Sequence, residues 1–374
     1  MNSTSILWGV NIISAFLLCL LLSTFIIPRI LQIAYRKQLF DEPNERKLHS
    51  TPVPRLGGLA FKPLVLLSTV LLLAVNLSLG HRELLDELGK DALPFTFTLC
   101  AITLAYLVGI IDDLKGVPYR SKFVAQTICG LLLVTGGVVL TDLNGLAFLH
   151  VLPSWMSIPL SVFAVVFIVN AINLIDGIDG LASGLCIIAF LCYGITFLIY
   201  GQHTNALLSF STAGVIIPFY YYNVFGRIEK NTKVFMGDTG TMTTGIMLCY
   251  LSIRLTHIAD TLPSHVNPFV LAFSPMLIPC LDVVRVYIYR VCHGKNPFLP
   301  DKNHIHHRLL AMGLSQRQAM AILVLAALVL TVLNVSVSRR LGATYLLLLD
   351  IILWMLANFL INVRIKRHNL RTAI

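Results

Sequence analysis

Charged residues are scarce. Asp, Glu, Lys and Arg make up 12% of the 374 residues, about half of the roughly 25% usual in soluble domains. Hydrophobic residues make up 56%, more than a water-soluble globule can cover, which excludes a secreted domain, a disordered chain and a soluble dinucleotide-fold enzyme. No cation precedes the first apolar run, and that run is longer than a signal-peptide core, so it reads as a span and not as a cleaved leader. No C-x-x-C pair occurs among the eight cysteines, and nearly all of them sit in apolar runs, as small buried hydrophobes would. Internal repeats and low-complexity segments are also missing, which weighs against a transporter built from inverted repeats.

What is present is one long apolar run after another. At about 20 residues per span, hydropathy predicts eleven helices near 6–28, 59–79, 93–111, 122–141, 157–174, 181–200, 204–224, 239–257, 267–291, 318–336 and 342–363. The expectation is an all-α polytopic membrane protein, a single domain over 1–374. The net charge of +10 would suggest nucleic acid in a soluble protein. In a membrane protein the positive-inside rule accounts for it, and no nucleic-acid partner is expected. Of the 28 Lys and Arg, 22 fall in alternate loops (29–58, 112–122, 170–180, 225–238, 285–317) and the tail from 364. That asymmetry predicts the N-terminus outside and the C-terminus inside. The unusual polar residues crowd the same inside loops, so the site is expected on the cytoplasmic face.

Four stretches carry candidate chemistry. Asp112-Asp113 closes an apolar run; adjacent carboxylates repel, and one has a raised pKa unless a cation or metal compensates. Lys115 and Lys122 could balance the pair, and a solvated helix end is the bland alternative. Asn170, Asn173 and Asp176 recur every third residue before Asp176-Gly177 and Asp179-Gly180 break the helix. This inside loop holds no cation, and its hard oxygens suit Mg²⁺, with Mn²⁺ as a substitute. Gly237-Asp238-Thr239-Gly240 opens a hydrophobic helix, where Asp238 could cap and the helix N-terminus would favour phosphate. His304, His306, His307 and Arg308 cluster within five positions. They read either as a transition-metal site or as a diphosphate clamp with Arg308 as its fork. Together this is the inventory for metal-dependent transfer of a phosphosugar from a soluble nucleotide to a lipid phosphate. Lys62 and Asp350 lie within spans, where charge is costly; no role follows for either, though Lys62 can snorkel.

The four stretches, in this order, with Arg46-Lys47-Leu48-His49, Pro52–Gly58 and Phe235-Met236-Gly237-Asp238, resemble the polyprenyl-phosphate N-acetylhexosamine-1-phosphate transferases, most closely the WecA/TagO branch. The likeness is strongest over 41–310. It implies transfer of GlcNAc-1-phosphate from UDP-GlcNAc to undecaprenyl phosphate, yielding UMP, in a bacterial inner membrane. It also implies Asn173 and Asp238 as Mg²⁺ ligands, and Asp112 and Asp113 as the pair that handles the lipid phosphate, one of them a candidate base. Asp176 joins these carboxylates and, with Asn223, lines the nucleotide pocket. Phe235 would stack on uracil, His304, His306, His307 and Arg308 would form the sugar-diphosphate loop, and Lys115 and Lys122 would attract the lipid phosphate. Another UDP-sugar (GalNAc, a deoxy-aminosugar or MurNAc-pentapeptide) is the alternative, with a transporter behind it. A homodimer is left open.

Overall fold

The apolar runs fold as helices. The structure is a computed structural model that describes residues 3–39, 53–262, 266–298 and 301–372. The Arg46–His49 part of the first motif, and Pro52, lie outside these residues. In chain order the helices are α1 (Ser3–Arg36), α2 (Phe61–Ser78), α3 (Glu83–Lys90), α4 (Ala92–Lys115), α5 (Tyr119–Thr135), α6 (Ser154–Ile175), α7 (Leu181–Ile199), α8 (His203–Phe225), α9 (Gly237–Thr256), α10 (Pro268–Phe273), α11 (Leu277–Cys292), α12 (Ile305–Ala311) and α13 (Gln316–Thr372). Among the described residues the only β-pairing is an isolated bridge between Asp142 and Val151.

Among the described residues, seven helical stretches are long and apolar enough to cross a membrane: Thr4–Arg36, Gly57–Ser78, Ala92–Lys115, Ser154–Ile175, Leu181–Ile199, Pro268–Cys292 and Gln316–His368. This is a multi-pass membrane protein. Two further long helices, α8 and α9, are more polar for a physical reason. From Thr239 to Thr256 every residue of α9 except Arg254 is buried, so this helix is solvated by its neighbours. Its hydroxyls bond back to its own carbonyls, Thr244 Oγ1 to Gly240 O at 2.8 Å and Ser252 Oγ to Leu248 O at 2.7 Å. Arg254 is ion-paired with Asp91.

Three boundaries differ from expectation. The helix expected over 122–141 ends at Thr135, because Gly136 and Gly137 follow and Gly137 takes φ +82°, the usual helix stop. The run at 267–291 is bent at Ser274–Met276, where Pro275 cannot donate a backbone hydrogen bond. The last two runs form one continuous assignment, α13, broken at Gly342 with φ +73°. A straight helix would separate Asn334 from Asp350 by about 24 Å, yet Asn334 Nδ2 donates to Asp350 Oδ2 at 2.8 Å. The chain therefore doubles back at Gly342 as an antiparallel hairpin. The tip is held by Thr344 Oγ1 donating to Gly145 O at 2.5 Å; the far end returns to α12, where Asn362 meets Arg308.

That places Asp350 as a pin between the two halves of α13. Replacing it with Leu should destabilise the detergent-solubilised protein by about 1–3 kcal/mol, because Asn334 is left unpaired. Asp350→Asn, which can still accept that bond, should unfold near the wild-type temperature. Equal losses in the two variants would reject the pin.

Candidate active site

The site is assembled on the face where α4, α6, α8 and α11 end and α9 begins. Residues 54–58 run against 235–236: Phe235 N donates to Pro54 O at 2.9 Å, Gly57 N to Phe235 O at 3.1 Å and Gly58 N to Met236 O at 3.0 Å. A Cβ on Gly58 would stand 2.2 Å from Gly240 N, so only glycine allows this approach. Gly237 has φ +70°, and a Cβ there would meet Arg55 O at 2.1 Å. The chain thus enters α9 directly over the end of α4. Phe235 itself is half-buried in this segment.

Asp113 is the cap of α9. Its Oδ1 accepts from Asp238 N at 2.7 Å, and its Oδ2 accepts from Thr239 N at 2.9 Å and Thr239 Oγ1 at 2.6 Å. This corrects two expectations. The cap comes from another helix and not from Asp238, and the helix N-terminus expected to attract phosphate is already filled by this carboxylate. Asp112 points elsewhere: Lys122 Nζ lies 2.6 Å from Asp112 Oδ2 and 2.9 Å from Asp238 Oδ1, so one ammonium bridges two carboxylates. Asp112 Oδ1 also accepts from Val117 N at 2.6 Å. Asn173 Nδ2 donates to Asp238 Oδ1 at 2.6 Å and to Thr241 Oγ1 at 2.9 Å, which brings α6 into the cluster. Asn170 stays outside it, tied to Gln126 Oε1 at 2.6 Å. Lys115 is exposed at the end of α4 and is not brought to the carboxylates.

Asp176 follows the last residue of α6 as its C-terminal cap position. Desolvation by the surrounding protein and the charges of Asp238 and Asp179 push its carboxyl up to about 7, with Arg55 opposing them. Asp179 is paired with Lys233, whose Nζ sits 2.5 Å from Asp179 Oδ2 and 2.5 Å from Asn223 O. The Asn223 side chain links two segments, accepting from Gly180 N at 2.6 Å and donating to Val234 O at 2.7 Å. It thereby fixes the acidic turn against the segment that carries Phe235.

The histidine loop hangs on a residue that the motifs did not single out. Asp282 of α11, fully buried, accepts from His304 Nδ1 at 2.8 Å, Ile305 N at 3.0 Å and Arg285 at 2.8 Å. The His304 ring is thereby held with Nδ1 turned to this carboxylate as the donor. His306 packs onto Gly177, where a Cβ would lie 2.0 Å from Nε2. It is buried with neither ring nitrogen bonded. Burial and the neighbouring His307 and His304 push it down to about 3, so it is neutral near pH 7 and offers hydrogen bonds, not charge. His307, half-buried, is shifted down by the same desolvation. Arg308 is engaged on α13, by Asn358 and by Asn362 Oδ1 at 2.5 Å, and not by the carboxylate cluster.

Asp282, Arg285, Lys233 and Gln126 escaped the motif reading. For Asp282 a signal existed, a carboxylate inside an apolar run. The Asp282→Asn variant keeps the shape but loses the charge that orients His304 and Arg285. Residues that orient a site side chain typically matter about 10–100-fold, and a drop of that size in turnover is expected, with about 1–3 kcal/mol of stability lost where the new amide faces an N–H donor. Wild-type turnover would show that the loop does not depend on this anchor.

The donor set bears on a metal. Asp112 and Asp238 share the Lys122 ammonium, Asp113 lies at the start of α9 beside Asp238, and Asp176 feels the charges of Asp238, Asp179 and Asp113, with Arg55 as the opposing cation. Like charges about 4 Å apart repel by roughly 4 kcal/mol at an effective dielectric of 20, so four carboxylates against Lys122 and Arg55 leave the cluster short of positive charge. Oxygens of Asp238, Asn173 and Asp112 are hard donors that fit Mg²⁺. Among the described residues no three His, Cys, Asp or Glu are arranged to hold an ion unaided. An ion here would complete its shell from the Asn amide, water and substrate, the habit of Mg²⁺ at phosphate sites.

The geometry defines a membrane enzyme with an acidic, oxygen-rich centre and a histidine loop on one face. Residues 95–256 match the family described as glycosyl transferase family 4. The chain is 30% identical over 325 residues to a protein of Bacillus subtilis named as a probable undecaprenyl-phosphate N-acetylglucosaminyl 1-phosphate transferase, covering 86% of this chain and 84% of the relative. It is 29% identical to the undecaprenyl-phosphate alpha-N-acetylglucosaminyl 1-phosphate transferase of Escherichia coli, over 90% and 86% of the two chains. It is 34% identical to the decaprenyl-phosphate N-acetylglucosaminephosphotransferase of Mycolicibacterium smegmatis, over 76% and 71%. The chain belongs to this family of membrane glycosyl-1-phosphate transferases.

Proposed function

We propose that the protein transfers GlcNAc-1-phosphate from UDP-GlcNAc to undecaprenyl phosphate in a bacterial inner membrane. In this reading a lipid-phosphate oxygen attacks the sugar-bearing phosphorus, a new P–O bond forms, the bond to the bridging oxygen breaks, and UMP leaves with that oxygen. The observation that carries the reading is the Asp112–Lys122–Asp238–Asn173 cluster beside the histidine loop, in a chain with these relatives. Mg²⁺, held by Asp238 and Asn173, would neutralise the diphosphate and orient it for in-line displacement. Lys122 is the cation placed to meet an incoming phosphate, while Asp113 holds the start of α9 so that Asp238 faces the cluster. His304, His306 and His307 offer ring nitrogens to the sugar diphosphate, and Phe235 a ring for the base. The eleven-span topology, with this face cytoplasmic, is supported by the cation asymmetry and by the doubling back of α13 at Gly342.

The test is UMP release by the purified full-length protein in detergent, with undecaprenyl phosphate and a panel of UDP-sugars. UMP should appear in step with lipid-diphosphate-sugar, fastest with UDP-GlcNAc, and should stop in EDTA and return with Mg²⁺. UMP formed without the lipid, or undiminished in EDTA, would overturn the reading; a preference for UDP-GalNAc would reassign the sugar.

A further inference from the structure

We infer a second phosphate-recognising site, for the headgroup of an anionic phospholipid, in a cleft between the end of α8 and the start of α13. The cleft has a volume of about 620 Å³ and is open to the surface, within the roughly 300–1,000 Å³ of small-molecule pockets. Arg227, Lys230 and Arg317 line it, and no carboxylate does. Among the described residues no ion pair engages these three cations. Glu229, on the same turn, is exposed and does not line the cleft.

The cleft is built, not a chance gathering of surface charge. The turn between α8 and residue 233 is closed by Arg227 N donating to Thr232 Oγ1 at 2.9 Å and by Thr232 N donating to Arg227 O at 3.1 Å. A Cβ on Gly226 would stand 2.2 Å from Tyr222 O and 2.4 Å from Thr232 O, so the turn can close this tightly only with glycine there. It presents Arg227 and Lys230 beside Arg317, whose guanidinium lies over the Phe225 ring at 5.4 Å. Below the cations, Tyr221 and Phe225 are 60% and 50% exposed at the end of a long helix, the level where aromatic rings meet lipid. Cations above and exposed rings below match a headgroup phosphate above an acyl chain, and basic pockets between membrane helices bind anionic headgroups.

This is not the nucleotide site. Tyr221 and Phe225 share one face of α8, and Asn223 lies about 200° around the helix from each, turned toward Gly180 and Val234. The inference rests on the membrane placement of α8 and not on the transferase reading.

The test uses the full-length protein in neutral detergent, titrated by native mass spectrometry with phosphatidylglycerol and with phosphatidylcholine of the same acyl chains. The wild type should prefer phosphatidylglycerol by at least tenfold. R317Q alone should weaken phosphatidylglycerol binding about fivefold, at roughly one such factor per cation. R227Q/K230Q/R317Q should abolish the preference while leaving phosphatidylcholine binding, and UMP release with undecaprenyl phosphate in phospholipid-free detergent, unchanged. Equal binding of the two lipids by the wild type, or a preference kept by the triple variant, would overturn the proposal. Millimolar glycerol 3-phosphate should not displace the lipid; if it does, the cleft recognises a soluble phosphate ester and the lipid assignment fails. Loss of UMP release with the lipid preference intact would count against the transferase reading alone.

Discussion

Asp238→Asn should lower UMP release by about 10³-fold or more while leaving the protein folded. A metal held here would supply several kcal/mol of transition-state stabilisation, and each 1.36 kcal/mol is tenfold in rate. Asp238 is the residue on which Lys122, Asn173 and the start of α9 converge. Removing its charge relieves repulsion with Asp112 and Asp176, so the melting temperature of the metal-free variant should equal or exceed that of the wild type, as often occurs when an active site is disarmed. Asn173→Ala should be as inactive. Turnover of Asp238→Asn within tenfold of wild type in Mg²⁺ would remove it from the proposed metal site.

The second large effect is expected at Asp113, through geometry. The Asp113→Asn variant replaces an acceptor of three hydrogen bonds with a group that turns N–H toward at least one N–H donor. The cost should be about 1–3 kcal/mol of stability, and because the start of α9 moves with it, about 10²-fold in rate, the scale of a 1 Å misplacement. The pH profile separates this from base catalysis. A lipid phosphate with a second pKa near 6 is mostly dianionic at pH 7 and hardly needs a base. General-base help is worth about 10²–10⁴-fold, and if Asp113 supplied it, raising the pH by two units would recover much of the rate. A positional loss persists at every pH. Recovery in alkali would restore Asp113 as the base.

Much of the site was legible because its residue types are out of place in apolar surroundings. Adjacent carboxylates at a helix end, oxygen side chains at three-residue spacing and three histidines in four positions stand out against 56% hydrophobic background. The structure brings Asp112, Asp113, Asn173 and Asp238 together from three helices. Spacing along a chain says nothing of partners across it, so sequence could not tell that Asp113 caps α9 or that Asn223 ties two segments together. Nor could it tell that Arg308 turns to Asn358 and Asn362, or that Asp282 anchors the histidines.

The amino-acid sequence alone determined that this chain spans a membrane many times and places its polar chemistry on one face, because hydrophobic length and the distribution of cations act locally, run by run. It also marked where most helices begin and end, through glycine, proline and charge. Only the tertiary structure decided which carboxylates share Lys122, which one is spent on a helix terminus, and that α13 is a hairpin pinned by Asn334 and Asp350. It also decided that α9, too polar for lipid, can sit among the other helices. Those outcomes depend on which surfaces meet at distances of 2.6–2.9 Å, and hydrogen bonds and charge pairs at such range are set by packing between segments far apart in the chain.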